Sequence, residues 1–496
     1  MSRLKIILLA IVLTLSVCLT FSCGNGGDSS TPNSNDNVAE NNGEVEAQEQ
    51  EAVDERVYTD VPVVDYGGYV FNVLTFGVTG SEQWENIDMY AEEEIGEVVN
   101  DSVYRRNATI NEKYNISIQE VHSFDFGNVL RKEIGAGTNE YDLISPRLID
   151  SASFMQSGYF LNLLNVPNLD FTKPWYNQQG VKEMTIDGKL FIVMNDILLS
   201  PNDATSIIVF NKQLIKDHGL DDPYALVRDG KWSIDKMYAM AKAVASDVDG
   251  DGAMSPGTDR YGYITWNDAM VSFLHSGGQK LVSKDANDLP VITFDNAKTY
   301  EVMDKAFMLM YDDNVTGNIQ KPAFANNTFE GIFSENRAAF GWTRMYMIPM
   351  LRTMEADFGI VPIPKIYEST DGYPSTVNVH HACSLSIPVT TQDMDRTTII
   401  MEALAAESKY TVQPSYYEIS LKTKHSRDDE SADMLDLILS NRVIDIGDVY
   451  NFADFGGQFY QLALKNDSNL TSFYEKHEAK LQKEIDKLIT KFAELE

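Results

Sequence analysis

The chain has 496 residues, 43% of them hydrophobic and 10% aromatic, enough to bury a large core and too apolar for global disorder. With 74 acidic against 40 basic side chains its formal net charge is −34, which excludes polyanionic partners such as nucleic acid and leaves neutral or cationic ligands. At ~100–200 residues per domain, the length predicts two or three domains.

Arg3 and Lys5 precede an uncharged apolar run from Ile6 through Leu19. That run is short for a membrane span and has the form of a signal-peptide core. Small Ser22 then precedes Cys23, so residues 1–22 read as a lipoprotein signal peptide and Cys23 as the acylated N-terminus, with simple secretion as the alternative. Leu19 lies four residues before Cys23, with Thr20 where Leu is commonest. Once Cys18 is cleaved off and Cys23 acylated, only Cys383 remains, so no intramolecular disulfide is available and stability must come from the core. Residues 23–55 carry nine carboxylates and no lysine or arginine. Self-repulsion and low hydrophobicity predict an extended tether there.

The globular part opens on the apolar run 69–74, followed by Trp84 in a polar stretch. Val99, Val103, Arg106, Ile110 and Tyr114 repeat at helical spacing, Asn115 stops them, and Ile116-Ser117-Ile118 alternates as a strand. A second helical pattern, Val129 to Ile134, leads to the strand Tyr141-Asp142-Leu143-Ile144-Ser145. Strand, helix, strand, helix, strand implies a parallel α/β sheet. Further strands follow at Leu190-Phe191-Ile192-Val193 and from Ser206 to Asn211, with Asp196 and Asp203 on the loop between them. Acids there are placed to receive ligand hydroxyls, although a loop acid is more often merely solvated.

From Asp247 the chain reads Asp-Val-Asp-Gly-Asp-Gly-Ala-Met-Ser-Pro-Gly-Thr-Asp. Carboxylates at loop positions one, three and five with glycine at six match the start of an EF-hand-type calcium loop. Thr258 stands where a bidentate Glu is expected, so the predicted Ca2+ ligands are Asp247, Asp249, Asp251, the Ala253 carbonyl and Asp259, in a structural role. Trp266 follows soon after. His380, His381 and Cys383 lack a second ligand cluster at zinc spacing, and neighbouring strand residues point to opposite faces, which argues against zinc. Beyond Arg396 the pattern is helical, with a start at Ser426-Arg427-Asp428-Asp429, a capping box at Ser472-Phe473-Tyr474-Glu475, and one apolar face through Phe473, His477, Leu481, Ile485, Leu488 and Phe492.

The stretch FEGIFSENRAAFGWTRMY, Phe329 to Tyr346, reads as a helix, a polar turn and a buried small-residue strand that delivers Trp342 and Arg344 to its carboxyl end, where ligands sit in open α/β sheets. A tryptophan packed as core is the competing reading. The stretch resembles the helix-then-strand passage of family 1 bacterial extracellular solute-binding proteins, the maltose-binding-protein-like receptors of carbohydrate ABC importers. The strand Tyr141 to Ser145, the segment Ser206 to Lys212 with its following Gly219-Leu220, and Asp357-Phe358-Gly359-Ile360-Val361-Pro362-Ile363-Pro364 are similar to other strands of that family. The similarity runs from about Val70 to the C-terminus.

The resemblance implies an α/β, two-lobed periplasmic-binding-protein-like fold of type II, with three crossing segments forming a hinge and the first crossing near Pro146. Lobe 1 is then 56–146 plus about 377–415, and lobe 2 about 147–376 plus 416–496. It further implies a monomeric, extracytoplasmic, lipid-anchored receptor that captures a sugar or oligosaccharide in the interlobe cleft and delivers it to an ABC permease. Aromatic planes cover sugar C–H faces and charged groups pair with hydroxyls, so the expected ligand-binding residues are Trp84, Asp203, Trp266, Trp342, Arg344 and, from the loop before the C-terminal helices, Phe455. The alternatives are a ligand-sensing lipoprotein coupled to a signalling partner and a secreted glycoside hydrolase. The chain has no G-x-S-x-G, H-E-x-x-H or P-loop, and its many acids single out no catalytic pair, so no enzymatic activity is expected.

Overall fold

A computed structural model describes residues 56–78, 87–351, 354–417 and 428–495. The signal peptide, Cys23, the tether and Trp84 lie outside the described residues. Strands β1 (Tyr69–Phe76), β2 (Ile116–Ser123) and β3 (Leu143–Ser145) form a parallel sheet in the order β2-β1-β3, with Tyr69 opposite Ile116 and Val73 opposite Leu143. Helices α1 (Val98–Tyr114) and α2 (Phe126–Ala136) connect them. The Glu97 side chain caps α1 by accepting from the Val99 and Asn100 N–H groups, and Asn115 ends the helix in the left-handed conformation. Val99, Val103, Arg106, Ile110 and Tyr114 are its buried face, as their spacing predicts.

A second, mixed sheet contains β4 (Ser206–Asn211), β5 (Tyr261–Thr265), β6 (Thr316–Asn318), β7 (Ala338–Arg344) and β8 (Phe358–Val361), in the order β8-β4-β7-β5-β6. Strand β4 is antiparallel to both β8 and β7, while β5 runs parallel to β7 and β6. The helix Phe329–Ser334 packs on β7 and is capped by Thr328. Gly341 lets the helix lie close, because a Cβ there would meet the Phe329 ring at 2.5 Å. All seven residues of β7 are buried.

The chain passes between the surroundings of the two sheets three times. Val193 still bridges Leu385, whose neighbour Ser386 bridges Ile144 of β3, whereas Thr205 bridges Val377 at the edge of the second sheet. These two passages therefore run side by side in opposite directions. The third follows helix α5 (Met394–Tyr410), which packs on α1, and leads to α6 (Asp429–Ser440), which packs on β8. Gln413 ties it to the first passage, donating to the carbonyls of Asp196 and Leu198.

The first passage thus lies between Val193 and Ser206, not at Pro146. Residues 147–193 stay with the first sheet because they are bonded to its side: Arg147 bridges Cys383, Phe160 bridges Pro388, and Trp175 and Tyr176 donate to Glu402 of α5. The C-terminal helix α7 (Leu470–Glu494) begins earlier than the expected capping box, since Asn469 caps it by accepting from the Ser472 N–H. Its buried face includes Phe473, Leu481, Ile485, Leu488 and Phe492. Among the described residues no helix is long and apolar enough to cross a membrane.

Candidate functional site

The carboxyl ends of β5 and β7 lie together at one edge of the second sheet, with the amino end of β4 beside them, since Ser206 pairs with Arg344. This edge gathers Trp266 and Asp268 after β5, and Arg344 and Tyr346 at the end of β7. Trp266 is partly exposed; it stacks on Phe329 at 4.7 Å and meets Trp342 edge-on at 6.1 Å. The Arg344 guanidinium lies 4.9 Å from the Tyr346 ring centroid, and its buried Nε has no hydrogen-bond partner among the described residues. Asp268 accepts from the Asn378 amide at 2.8 Å, and Asn378 in turn accepts from the His380 N–H at 3.0 Å. The second passage is thereby fastened to the start of helix α4 (Ala269–Ser276).

Residues of the first sheet meet this edge. Arg147, just past β3, lies over the Phe76 ring at 4.3 Å and donates to Asp150 of α3 (Leu148–Gln156) at 2.7 Å. At the carboxyl ends of β1 and β3 the buried hydroxyls of Thr75 and Ser145 have no partner among the described residues. The second passage joins the two groups, since the Ile149 N–H donates to the Val379 carbonyl, one residue before His380. Burial holds the His380 imidazole below the usual range; Asp268 and Asp150 act against that, and Arg147 and Arg344 add to it. Burial and then Arg344 push His381 down to about 3. Both imidazoles are therefore neutral at physiological pH, each with one nitrogen that donates and one that accepts. The constellation pairs one aromatic plane, Trp266, with two guanidinium groups, two carboxyl groups and neutral imidazoles, a stacking face ringed by hydrogen-bonding groups.

Of the residues expected to bind ligand, Trp266 and Arg344 belong to this group. Trp342 is a correction: its indole is 1% exposed and donates to Ser272 of α4 at 3.1 Å. It supports Trp266 from behind, because in β7 it shares a face with Phe340, which packs on Trp232 in the core. Asp203 is also spoken for, its carboxylate accepting from the Tyr416 hydroxyl at 2.6 Å, and burial pushes its carboxyl up to about 6 against that bond. Phe455, 1% exposed, lies in an aromatic cluster with Phe294 at 5.2 Å and Phe473 at 5.0 Å. It is core packing for the C-terminal helices. Sequence reasoning missed Arg147, Asp150, Asp268 and Tyr346, and weighed His380 only as a zinc ligand. Arg147 was open to discovery, since it follows the strand end at Ser145 by two residues.

In the Asp-rich loop, oxygens of Asp247, Asp249 and Asp259 lie within 4.8 Å of one another. Asp251 is not in that group; one of its oxygens accepts from the Ala253 N–H at 2.8 Å. Gly252, at φ +88°, makes the turn that brings its N–H onto Asp247. Burial works against the Asp259 charge, but N–H groups of Ser255, Val248 and Asp249 outweigh it and hold the carboxyl below its ordinary value. Cys383 is buried with no disulfide partner among the described residues, and burial pushes its thiol up to about 12, so it is inert.

Two sheets joined by three passages, with a polar and aromatic cluster where their strand ends meet, define the class of two-lobed type II binding proteins. The chain belongs to the bacterial extracellular solute-binding protein family, whose model matches residues 93–384. That is a transport family and not an enzyme class. No curated protein matches the sequence. Among solved structures, a cyclic alpha-maltosyl-1,6-maltose binding protein from Arthrobacter globiformis is similar at TM-score 0.59 and 14% identity, over 86% of this chain and 100% of that one. The ABC substrate-binding protein Lmo0181 from Listeria monocytogenes, solved with cycloalternan, gives TM-score 0.54 and 13% identity over 86% and 100%. The GacH receptor of Streptomyces glaucescens gives 0.52 and 14% over the same shares. At these identities the likeness establishes the fold.

Proposed function

We propose that this protein is an extracytoplasmic receptor that captures a carbohydrate between its two lobes and delivers it, unaltered, to the permease of an ABC importer. The observation that carries the reading is the meeting of Trp266, Asp268 and Arg344 from one sheet with Arg147 and Asp150 from the other, across His380. A stacking plane ringed by hydrogen-bonding groups suits a sugar, whose C–H faces are apolar and whose rim is hydroxyl. The similar proteins solved with cycloalternan and named for cyclic maltosyl-maltose support the ligand class. The passages are where the lobes would close over the guest.

The protein acts as a monomer, held to the membrane by lipid on Cys23 with residues 24–55 as tether. The loop Asp247 to Asp259 binds Ca2+ in a structural role, with carboxylates of Asp247, Asp249 and Asp259 supplying hard oxygen ligands. Native mass spectrometry of freshly purified protein, offered a panel of malto- and cyclic oligosaccharides, tests the central reading. One sugar per chain, recovered intact, is the expected result. No adduct across the panel, or shortened products, overturns it.

A further inference from the structure

A cavity that shares no residue with the candidate site lies between the first and third passages. It measures about 390 Å³ and is bounded by the first passage (Asn195, Asp196), the end of α5 and its continuation (Lys409, Gln413), and Arg442 just beyond α6. Its polar groups are unevenly matched. Asn195 is 5% exposed and its Oδ1 accepts from the Ile197 N–H, but its amide nitrogen is buried with no acceptor among the described residues. That nitrogen is closed off from the cavity, so Asn195 belongs to its wall. Arg442 uses its Nε on the Leu439 carbonyl and Nη1 on Asn202. Its second terminal nitrogen makes no bond to a described residue, although a guanidinium carries five N–H groups. Lys409 reaches Asp196 only at 3.4 Å.

By contrast, Gln413 and Asn202 are engaged with each other and with the wall: the Asn202 amide donates to Gln413, whose own amide is spent on the carbonyls of Asp196 and Leu198. They fix the cavity's shape and leave Arg442 and Lys409 as its open donors. Two cations stand against one carboxyl, Asp196, so the surplus is one positive charge and several N–H groups. Pro174, Leu198 and Pro414 supply apolar faces between them.

We infer that this cavity is a second ligand site, distinct from the carbohydrate cleft, for a small hydroxylated monocarboxylate of about monosaccharide size, its carboxylate taken by Arg442 and Lys409. The ligand brings the acceptors the walls lack, and its single charge balances theirs. The site stands on these contacts and does not depend on what the cleft binds.

The test is titration calorimetry of the full chain with glucuronate, glucose and glucosamine as probes of one size and three charges. Saturable 1:1 binding of glucuronate, at least ten-fold tighter than either other probe, is expected. Arg442→Gln removes one of the two cations that take the carboxylate, so it should weaken glucuronate at least ten-fold. Lys409→Met, at a partly exposed helix end, should do the same without threatening the fold. Trp266→Ala, in the cleft, should leave glucuronate binding unchanged. Absence of saturable binding, equal binding of glucose, or loss in Trp266→Ala with retention in both cavity variants overturns the assignment.

Discussion

Replacing Trp342 by alanine separates support from contact. The indole is 1% exposed, meets Trp266 edge-on and donates to Ser272, which itself donates to Ser206 of β4. Truncating a fully packed tryptophan costs about 3–5 kcal/mol, transfer and cavity terms together. That is a large share of the roughly 5–15 kcal/mol by which domains are stable. Trp266→Ala removes a partly exposed ring, so it costs less stability but loses the stacking face, worth about 1.5–3 kcal/mol to a sugar that covers it. Urea denaturation followed by tryptophan-independent circular dichroism measures the first quantity, and calorimetry with the sugar found by mass spectrometry measures the second. Trp342→Ala should show its larger loss in urea and Trp266→Ala in affinity. A Trp342→Ala protein of wild-type stability that no longer binds sugar would refute this division and return Trp342 to the contact surface.

Arg344→Gln should weaken sugar binding by about 1.5–3 kcal/mol, the value of a charge-assisted hydrogen bond, with unfolding stability unchanged or raised because a buried Nε without a partner is removed; an unchanged affinity by calorimetry would take Arg344 out of the site. Asp249→Asn should abolish a Ca2+-dependent rise in melting temperature, and a wild-type melting point indifferent to chelator would remove the metal. Burial raises the Glu402 carboxyl to about 7, with the bonds from Tyr176 and Trp175 acting the other way. A folded value above the unfolded one contributes stability that is fully present below about pH 4.5 and lost as pH rises through about 7, up to about 3 kcal/mol. Stability should therefore fall between pH 5 and 8 more steeply in the wild type than in Glu402→Gln, by calorimetric melting; identical pH profiles would contradict the assignment.

The parallel sheet was legible because its helices and strands carry clean periodicities: Val99 to Tyr114 repeat every three or four residues, and the turn at Asn115 is set by a left-handed residue. The stretch from Phe329 to Arg344 was legible for the same reason. The first passage was not, because what keeps residues 147–193 with the first sheet is bonding to residues between Cys383 and Glu402, distant in sequence, and local pattern carries no trace of it. The site split along similar lines. Strand ends named Trp266 and Arg344, but whether Trp342 or Trp266 shows its face depends on which side of β7 the α4 helix covers. Asp203 and Phe455 looked available because Tyr416, Phe294 and Phe473, their partners, are distant in sequence.

The most direct test is hydrogen exchange with and without the sugar identified by mass spectrometry, read at the two strand-end clusters. Protection gained together at residues 145–150 of one lobe and at 266–268 and 342–346 of the other is the predicted result, with His380 protected between them. Protection confined to one lobe, or appearing only at the surface away from both, would contradict a guest held between the two.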